Sequence, residues 1–433
     1  MTLAAPDRNA PSRAAENSVA PILLVAEAVT LAHVARATVL ARGLVAQGRR
    51  VVMAVDDRYR DVCPGEGWPV ERIASLPTAR FLEALRTGSP IHDRASFDAA
   101  VDDDLALLAR VQPAVVVGDF RLSLGVSARL AGIPYINVTN AYWSPYARPT
   151  WHVPSLPWTR FVPGVIADRV FRAVRPIAFR IHASAMEASR RARGVRALGR
   201  DLLAHYTDGD VTLYADPPEL VPLVDAPPTH RHLGPIAWSP PLPLPSWWDA
   251  LDRRHGVIYV TLGSSGSAAR LPAVLSGLAT LGLPVVVATA GAPCPAALPG
   301  NVHVAPYLPG DDVAAQSRLV VCNGGSPTSQ QALLHGAPVL ALPSNLDQVL
   351  NSRYLCDAGV AKSLRVEVST PARIETAARA LLDDARVGER VRATAAALAR
   401  HRPIDVLADA IDTLSAGRPA AAASGERFAP IAA

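Results

Sequence analysis

The chain has 433 residues, with 43 Lys and Arg against 38 Asp and Glu (formal net charge +5), half of its residues apolar and 19% charged. This is ordinary globular composition, with room for two or three domains of roughly 150 residues each, and it excludes a fibrous or wholly disordered chain. No apolar run approaches the ~18 residues of a spanning helix, and no basic block or nucleic-acid module occurs, so neither an integral membrane protein nor a DNA or RNA partner is expected.

Taken in order, residues 1–19 are mostly Ala, Pro, Ser and Asn without periodicity and are expected to be disordered. The apolar stretch from Pro21 starts too late for a signal peptide and contains Glu27, so it reads as a buried strand and a helix start. A strand from Ile22, a helix over Ala35 to Gln47 and a strand over Val51 to Val55 make a βαβ unit, hence a parallel sheet covered on both faces. Further strands are expected at Val115 to Gly118, Tyr135 to Val138 and Val211 to Tyr214, so a first α/β domain spans 20–232. A proline-dense segment, 233–250, can form neither helix nor central strand and reads as a linker. A second α/β domain, 251–416, has strands at Val257 to Leu262, Val285 to Ala288, Val302 to Val304, Leu319 to Cys322 and Val339 to Leu342, with terminal helices from Pro371. The alanine-rich residues 417–433 form a low-complexity tail. Cys63, Cys294, Cys322 and Cys356 are scattered without CxxC spacing, so no disulfide framework or zinc site is expected and a reducing cytoplasm is the expected setting.

The most informative stretch is 319–359. A strand breaks into Asn323, Gly324 and Gly325, and a helix opens with Ser326, Pro327 and Thr328, which makes an anion site of backbone N–H groups. After Gly336 and Pro338 a second strand leads to Asn345, Asp347, Gln348 and Asn351. Phosphate donors at one strand end and hydroxyl-binding side chains at the next suit a nucleotide sugar.

These residues carry a specific resemblance. The segment resembles the donor signature of family 1, UDP-glycosyltransferase-like enzymes of the GT-B fold: Gly324, Gly325, Thr328, Gly336, Pro338, Asp347, Gln348 and Asn351 fall on its pattern. Asn323 stands where a His is usual and Gln331 where a Glu is usual, both neutral replacements. The resemblance implies two Rossmann-like domains facing each other across a cleft. It also implies a metal-independent inverting transfer from a UDP- or dTDP-sugar, a co-substrate rather than a cofactor, to a hydroxyl of a hydrophobic small molecule or lipid. It assigns Gly324, Gly325, Ser326 and Thr328 to the diphosphate, with Asn323 at the phosphate-contacting position and Ser264 a further donor contact. Gln331 falls to the ribose, Asp347 and Gln348 to sugar hydroxyls, and Tyr307 to the base.

The resemblance also makes His33, in a TLAHV loop whose usual glycine is Ala32, the catalytic base, and Asp119 its orienting carboxylate. Taken singly, His33 could be a locally satisfied helix-start residue and Asp119 an N-cap. Over 142–193, Tyr142 and Trp143 are candidates for an apolar acceptor pocket beside an arginine-rich helix that could rest on the inner face of a membrane, although a solvated arginine face is the plainer reading. Oligomeric state is left open. Two other readings of this architecture stand beside the transferase: a catalytically degenerate GT-B protein that partners or activates another transferase, and a sugar-nucleotide 2-epimerase.

Overall fold

The computed structural model describes residues 20–62, 67–263, 268–295 and 297–416. Among these, β1 (Ile22–Ala26), β2 (Val51–Val55), β3 (Val70–Arg72), β4 (Val115–Asp119), β5 (Tyr135–Thr139), β6 (Val211–Tyr214) and β7 (His230–His232) form one parallel sheet, ordered β3-β2-β1-β4-β5-β6-β7. A second parallel sheet holds β8 (Val257–Thr261), β9 (Val285–Ala288), β10 (Val302–Ala305), β11 (Ser317–Cys322), β12 (Val339–Ala341) and β13 (Ala361–Ser363), ordered β10-β9-β8-β11-β12-β13. Both β1 and β4 are buried at every position, as strands covered by helices on both faces must be. These are two Rossmann-like units.

Three strands had no sequence expectation: β3, β7 and β13 read VER, HRH and AKS. Each lies at a sheet edge, where one face of backbone pairing suffices and charged side chains discourage further pairing. A second difference concerns the last helix, Pro403–Ala416, expected within the second unit. It crosses back and lies on the first, its Leu407, Ala410 and Ile411 buried in the core beneath the helix Leu31–Ala46. Gln47 donates to Asp405, and Arg49 and Arg231 pair with Asp412 and Asp409 around that contact.

The units also share a buried interface. The Tyr354 hydroxyl donates to Ala147 O at 2.5 Å, Ser155 N to Ser344 O at 2.8 Å, and Thr159 Oγ1 to Glu367 at 2.8 Å. One apolar core runs from Tyr142 and Trp143 of the first unit into the second sheet.

Within the first unit, Arg121 is buried between two carboxylates. Its Nη1 donates to Glu27 at 2.7 Å and to Ala74 O at 2.8 Å, and its Nε to Asp104 at 2.9 Å. Glu27 in turn accepts from Leu76 N, so the cluster fixes the loop beyond β3. Removing one member of such a cluster leaves uncompensated buried charge. Arg121→Met is therefore expected to destabilise the fold by about 3–5 kcal/mol, read from the denaturant midpoint.

Candidate active site

In a doubly wound sheet the ligand crevice lies beyond the carboxyl ends of the strands where the order reverses. In the first sheet that point is between β1 and β4, which pair in register with Ala26 opposite Asp119. The helix after β1 brings His33 there, and β4 ends on Asp119. His33 Nδ1 lies 2.9 Å from Asp119 Oδ1, although the residues are 86 positions apart. With Asp119 ionised, Nδ1–H donates and Nε2 is the free basic nitrogen. The ring stacks on Phe120, centroids 5.0 Å apart and planes within 9°. Phe120 reaches that position through a left-handed backbone, φ 55°, a conformation few non-glycine residues adopt.

Beneath the pair lies a residue that sequence reasoning missed. Arg36 donates to both Asp119 oxygens, Nε to Oδ2 at 2.5 Å and Nη2 to Oδ1 at 2.7 Å, a two-pronged contact that only a guanidinium makes. Burial alone would push the Asp119 carboxyl up. Arg36, with help from His33, reverses that and holds it below the usual range. Burial likewise works against the Arg36 charge, but Asp119 and Asp216 raise its pKa above the ordinary value. The spacing from His33, one helical turn, is the signal that could have found it.

The chain of bonds continues into the second unit. Arg36 Nη1 donates to Asn140 at 3.3 Å, and Asn140 to Asp216 at 3.0 Å. Asp216, two residues beyond β6, also accepts from Ala141 N at 2.6 Å, Ser326 Oγ at 2.9 Å and Gln330 Nε2 at 2.8 Å. Burial pushes its pKa up, and these donors oppose the rise. His33 is thus joined by side chains to the start of the helix Ser326–Leu334.

That start is the switch point of the second sheet, between β8 and β11. The helix opens at Gly325 with Pro327 in its first turn, and the N–H groups of Ser326 and Thr328 have no intrahelical acceptor. Gly324 has φ 80°, and a Cβ there would lie 2.2 Å from Ser352 Oγ, so only glycine fits the turn. The Ser326 hydroxyl points into Asp216, which leaves only its backbone N–H toward the cavity. Asn323 Oδ1 accepts from Gly325 N at 3.0 Å and shapes the turn from within. Gln331 lines the cavity, with its amide nitrogen 3.3 Å from Trp238 O. Gln348 Oε1 is taken up by Ser344 N, Ser344 Oγ and Asn345 N in a capping box. Asp347 faces the cavity but accepts from Trp143 Nε1 at 2.8 Å across the interface. Tyr307 is 55% exposed on the cavity rim. Ser264 lies outside the described residues.

His33, Arg36, Asn140, Asn323, Gly325, Ser326, Thr328, Gln331, Asp347, Gln348 and Tyr307 line one cavity of about 1080 Å³, with Asp119, Asp216 and Gly324 set behind its wall. On the first unit's side its wall is aromatic: Phe81, Phe120, Tyr142, Trp143, Phe179 and Tyr206. Tyr142 is fully buried with its hydroxyl beside the Asp347 carboxylate, and burial and that carboxylate push its pKa far up. Its hydroxyl therefore stays a neutral O–H donor at the cavity wall.

Comparison with known proteins bears on this arrangement. Residues 273–413 match the family described as Erythromycin biosynthesis protein CIII-like, C-terminal domain. A PGL/p-HBAD biosynthesis glycosyltransferase of Mycobacterium tuberculosis (strain ATCC 25177 / H37Ra) is 44% identical over 376 residues, 87% of this chain and 88% of the relative. The chain is a family 1-like glycosyltransferase. A PGL/p-HBAD biosynthesis rhamnosyltransferase of Mycobacterium bovis (strain BCG / Pasteur 1173P2) is 42% identical over 381 residues, 88% of the glycosyltransferase described here and 85% of that relative. Among solved structures, Spinosyn Forosaminyltransferase SpnP superposes with a TM-score of 0.67 at 20% identity, covering 92% of this glycosyltransferase and 100% of that chain. Spinosyn Rhamnosyltransferase SpnG complexed with thymidine diphosphate gives 0.64 at 19% identity, covering 90% and 99%. The fold is GT-B, and of the three readings open to the sequence the transferase stands.

Proposed function

We propose that this glycosyltransferase moves a sugar with inversion from a UDP- or dTDP-sugar to a hydroxyl of a hydrophobic acceptor, with no bound cofactor. One observation carries the reading: His33, held from behind by Asp119, and the open N-terminus of the helix Ser326–Leu334 face the same cavity. His33 Nε2 takes the acceptor hydroxyl proton as that oxygen attacks the anomeric carbon. The carbon–oxygen bond to the diphosphate breaks, and the electron pair leaves with the phosphate oxygen. First-turn N–H groups and the helix dipole stabilise the charge that develops there. Asp119, itself held by Arg36, keeps His33 in the right tautomer and stabilises its cation. The aromatic wall favours an apolar acceptor, and Asp347 with Tyr142 are the polar groups placed to meet sugar hydroxyls. Support for a pyrimidine nucleotide comes from the donor-segment pattern and from the neighbour solved with thymidine diphosphate.

The test is a thermal-shift panel with UDP, dTDP and GDP and their sugar conjugates. Stabilisation by UDP or dTDP is expected, about 2.7 kcal/mol at a hundredfold excess over the dissociation constant. No shift with either, or a shift with GDP alone, would overturn the donor assignment.

A further inference from the structure

We propose that the outward face of the helix Gly164–Ala192 docks on a bilayer surface carrying anionic lipid, so that the acceptor reaches the cavity from the membrane; this rests on the hydrophobic-acceptor reading above. The helix has 29 residues, about 43 Å of rod. Its inner face is core: Ala167, Phe171 and Phe179 are buried. Its outer face carries Ile166, Val170, Val174, Ile177 and Ile181, which are 45–59% exposed. Their spacing of four, four, three and four residues places them in one line about 22 Å long. Phe161 and Val165, 75% and 67% exposed, extend it. A single exposed aliphatic residue is ordinary, whereas a continuous line of them marks a contact surface.

The charges beside that line select its occupant. Arg175 stacks on Trp151 at 4.3 Å, Arg190 is buried against Asp208, and Arg191 and Arg193 pair with Glu187 and Asp102. Arg160, Arg169, Arg172 and Arg180 remain exposed, with no carboxylate partner among the described residues. Asp168, the acid within that stretch, turns inward to His152 at 2.7 Å and Val153 N at 2.9 Å. The surface is therefore apolar with uncompensated positive charge, the chemistry of an interfacial helix on anionic headgroups. A second copy on the same face would oppose arginines with arginines.

The stripe also meets the cavity. Val174 and Trp158, 45% and 37% exposed, are at once part of the outer surface and part of the cavity lining, and Leu242, 41% exposed, lines it too. An acceptor whose hydroxyl lies at His33 can leave its apolar remainder across this rim and into lipid.

The experiment is vesicle flotation of the full chain. Phosphatidylcholine vesicles with about a third phosphatidylglycerol are compared with phosphatidylcholine alone, at low and high salt. Binding is expected to anionic vesicles, and to fall about tenfold or more without phosphatidylglycerol, at high salt, in Ile177→Asp/Ile181→Asp and in Arg169→Glu/Arg180→Glu. None of these four side chains lines the cavity, so the thermal shift with nucleotide should match wild type in both variants. That readout checks folding and keeps a failure of docking distinct from a failure of the donor reading. A wild-type chain that stays unbound, or an Ile177→Asp/Ile181→Asp chain that floats like wild type, would overturn the proposal. So would a wild-type dimer that the aspartates dissociate, in the absence of vesicle binding.

Discussion

Replacing His33 by alanine is expected to lower kcat for sugar transfer by about 10²–10⁴-fold, with the nucleotide dissociation constant unchanged. The separation follows from position. His33 sits on the first sheet's side of the cavity, and the open helix end that would hold the diphosphate is on the other. Removing the imidazole takes away the proton acceptor while the side-chain chain from Arg36 to Ser326 stays in place. Asp119→Asn should also lower kcat, since a neutral amide no longer selects the Nδ1–H tautomer or stabilises the cation formed on protonation. Single-turnover transfer beside a nucleotide titration reads both quantities. Transfer at the wild-type rate by His33→Ala would remove the residue from the mechanism.

Arg36→Met is expected to act on stability and chemistry together. It leaves the Asp119 carboxylate buried with only His33 as a partner, a loss of about 3–5 kcal/mol. The acid side of the stability profile supplies an independent sign. In the wild type the folded Asp119 pKa lies below its unfolded value of about 3.9. Its pairing therefore contributes stability above that pH, and the contribution is lost as pH falls through the folded pKa. In Arg36→Met, burial, which raises the pKa, is opposed by His33 alone, so this acid-side loss should shrink. Arg36→Lys keeps the charge but not the two-pronged contact, and should recover part of the stability and less of kcat. A variant as stable and as active as wild type would mean that the guanidinium positions nothing.

The open helix end was legible from local order, whereas His33 and Asp119 were brought together only by the family resemblance, since local order alone left each a helix-start or capping residue. Each lies directly after an apolar strand of a parallel sheet, and parallel sheets put ligands at those ends. The network between them was not legible. Arg36 meets Asp119 across 83 positions, and Asp216 meets Ser326 across 110, and no periodicity reports a pairing at that range. Asp216 shows only as a polar residue just past a buried strand. Gln348, in the family's sugar-binding position, lines the cavity and also closes its own helix start, a second role that its spacing from Asn345 would have predicted. Edge strands of three residues with charged side chains carry too little pattern to be seen. The last helix was expected only as one of the terminal helices from Pro371, and no local signal says which sheet such a helix will cover.

That last helix changes how the two halves can move. The backbone passes between them twice, once after β7 and again just before Pro403, and the two passages touch. Gly234, at φ 94°, comes so close to His401 that a Cβ there would lie 2.8 Å from the histidine's, and His401 is fastened to Glu219 at 3.0 Å. Two connecting segments in contact restrain the halves against twisting and sliding more than one would. The outgoing and the returning segment thus meet at one point, Gly234 against His401, and only a residue without a side chain leaves room for the second crossing.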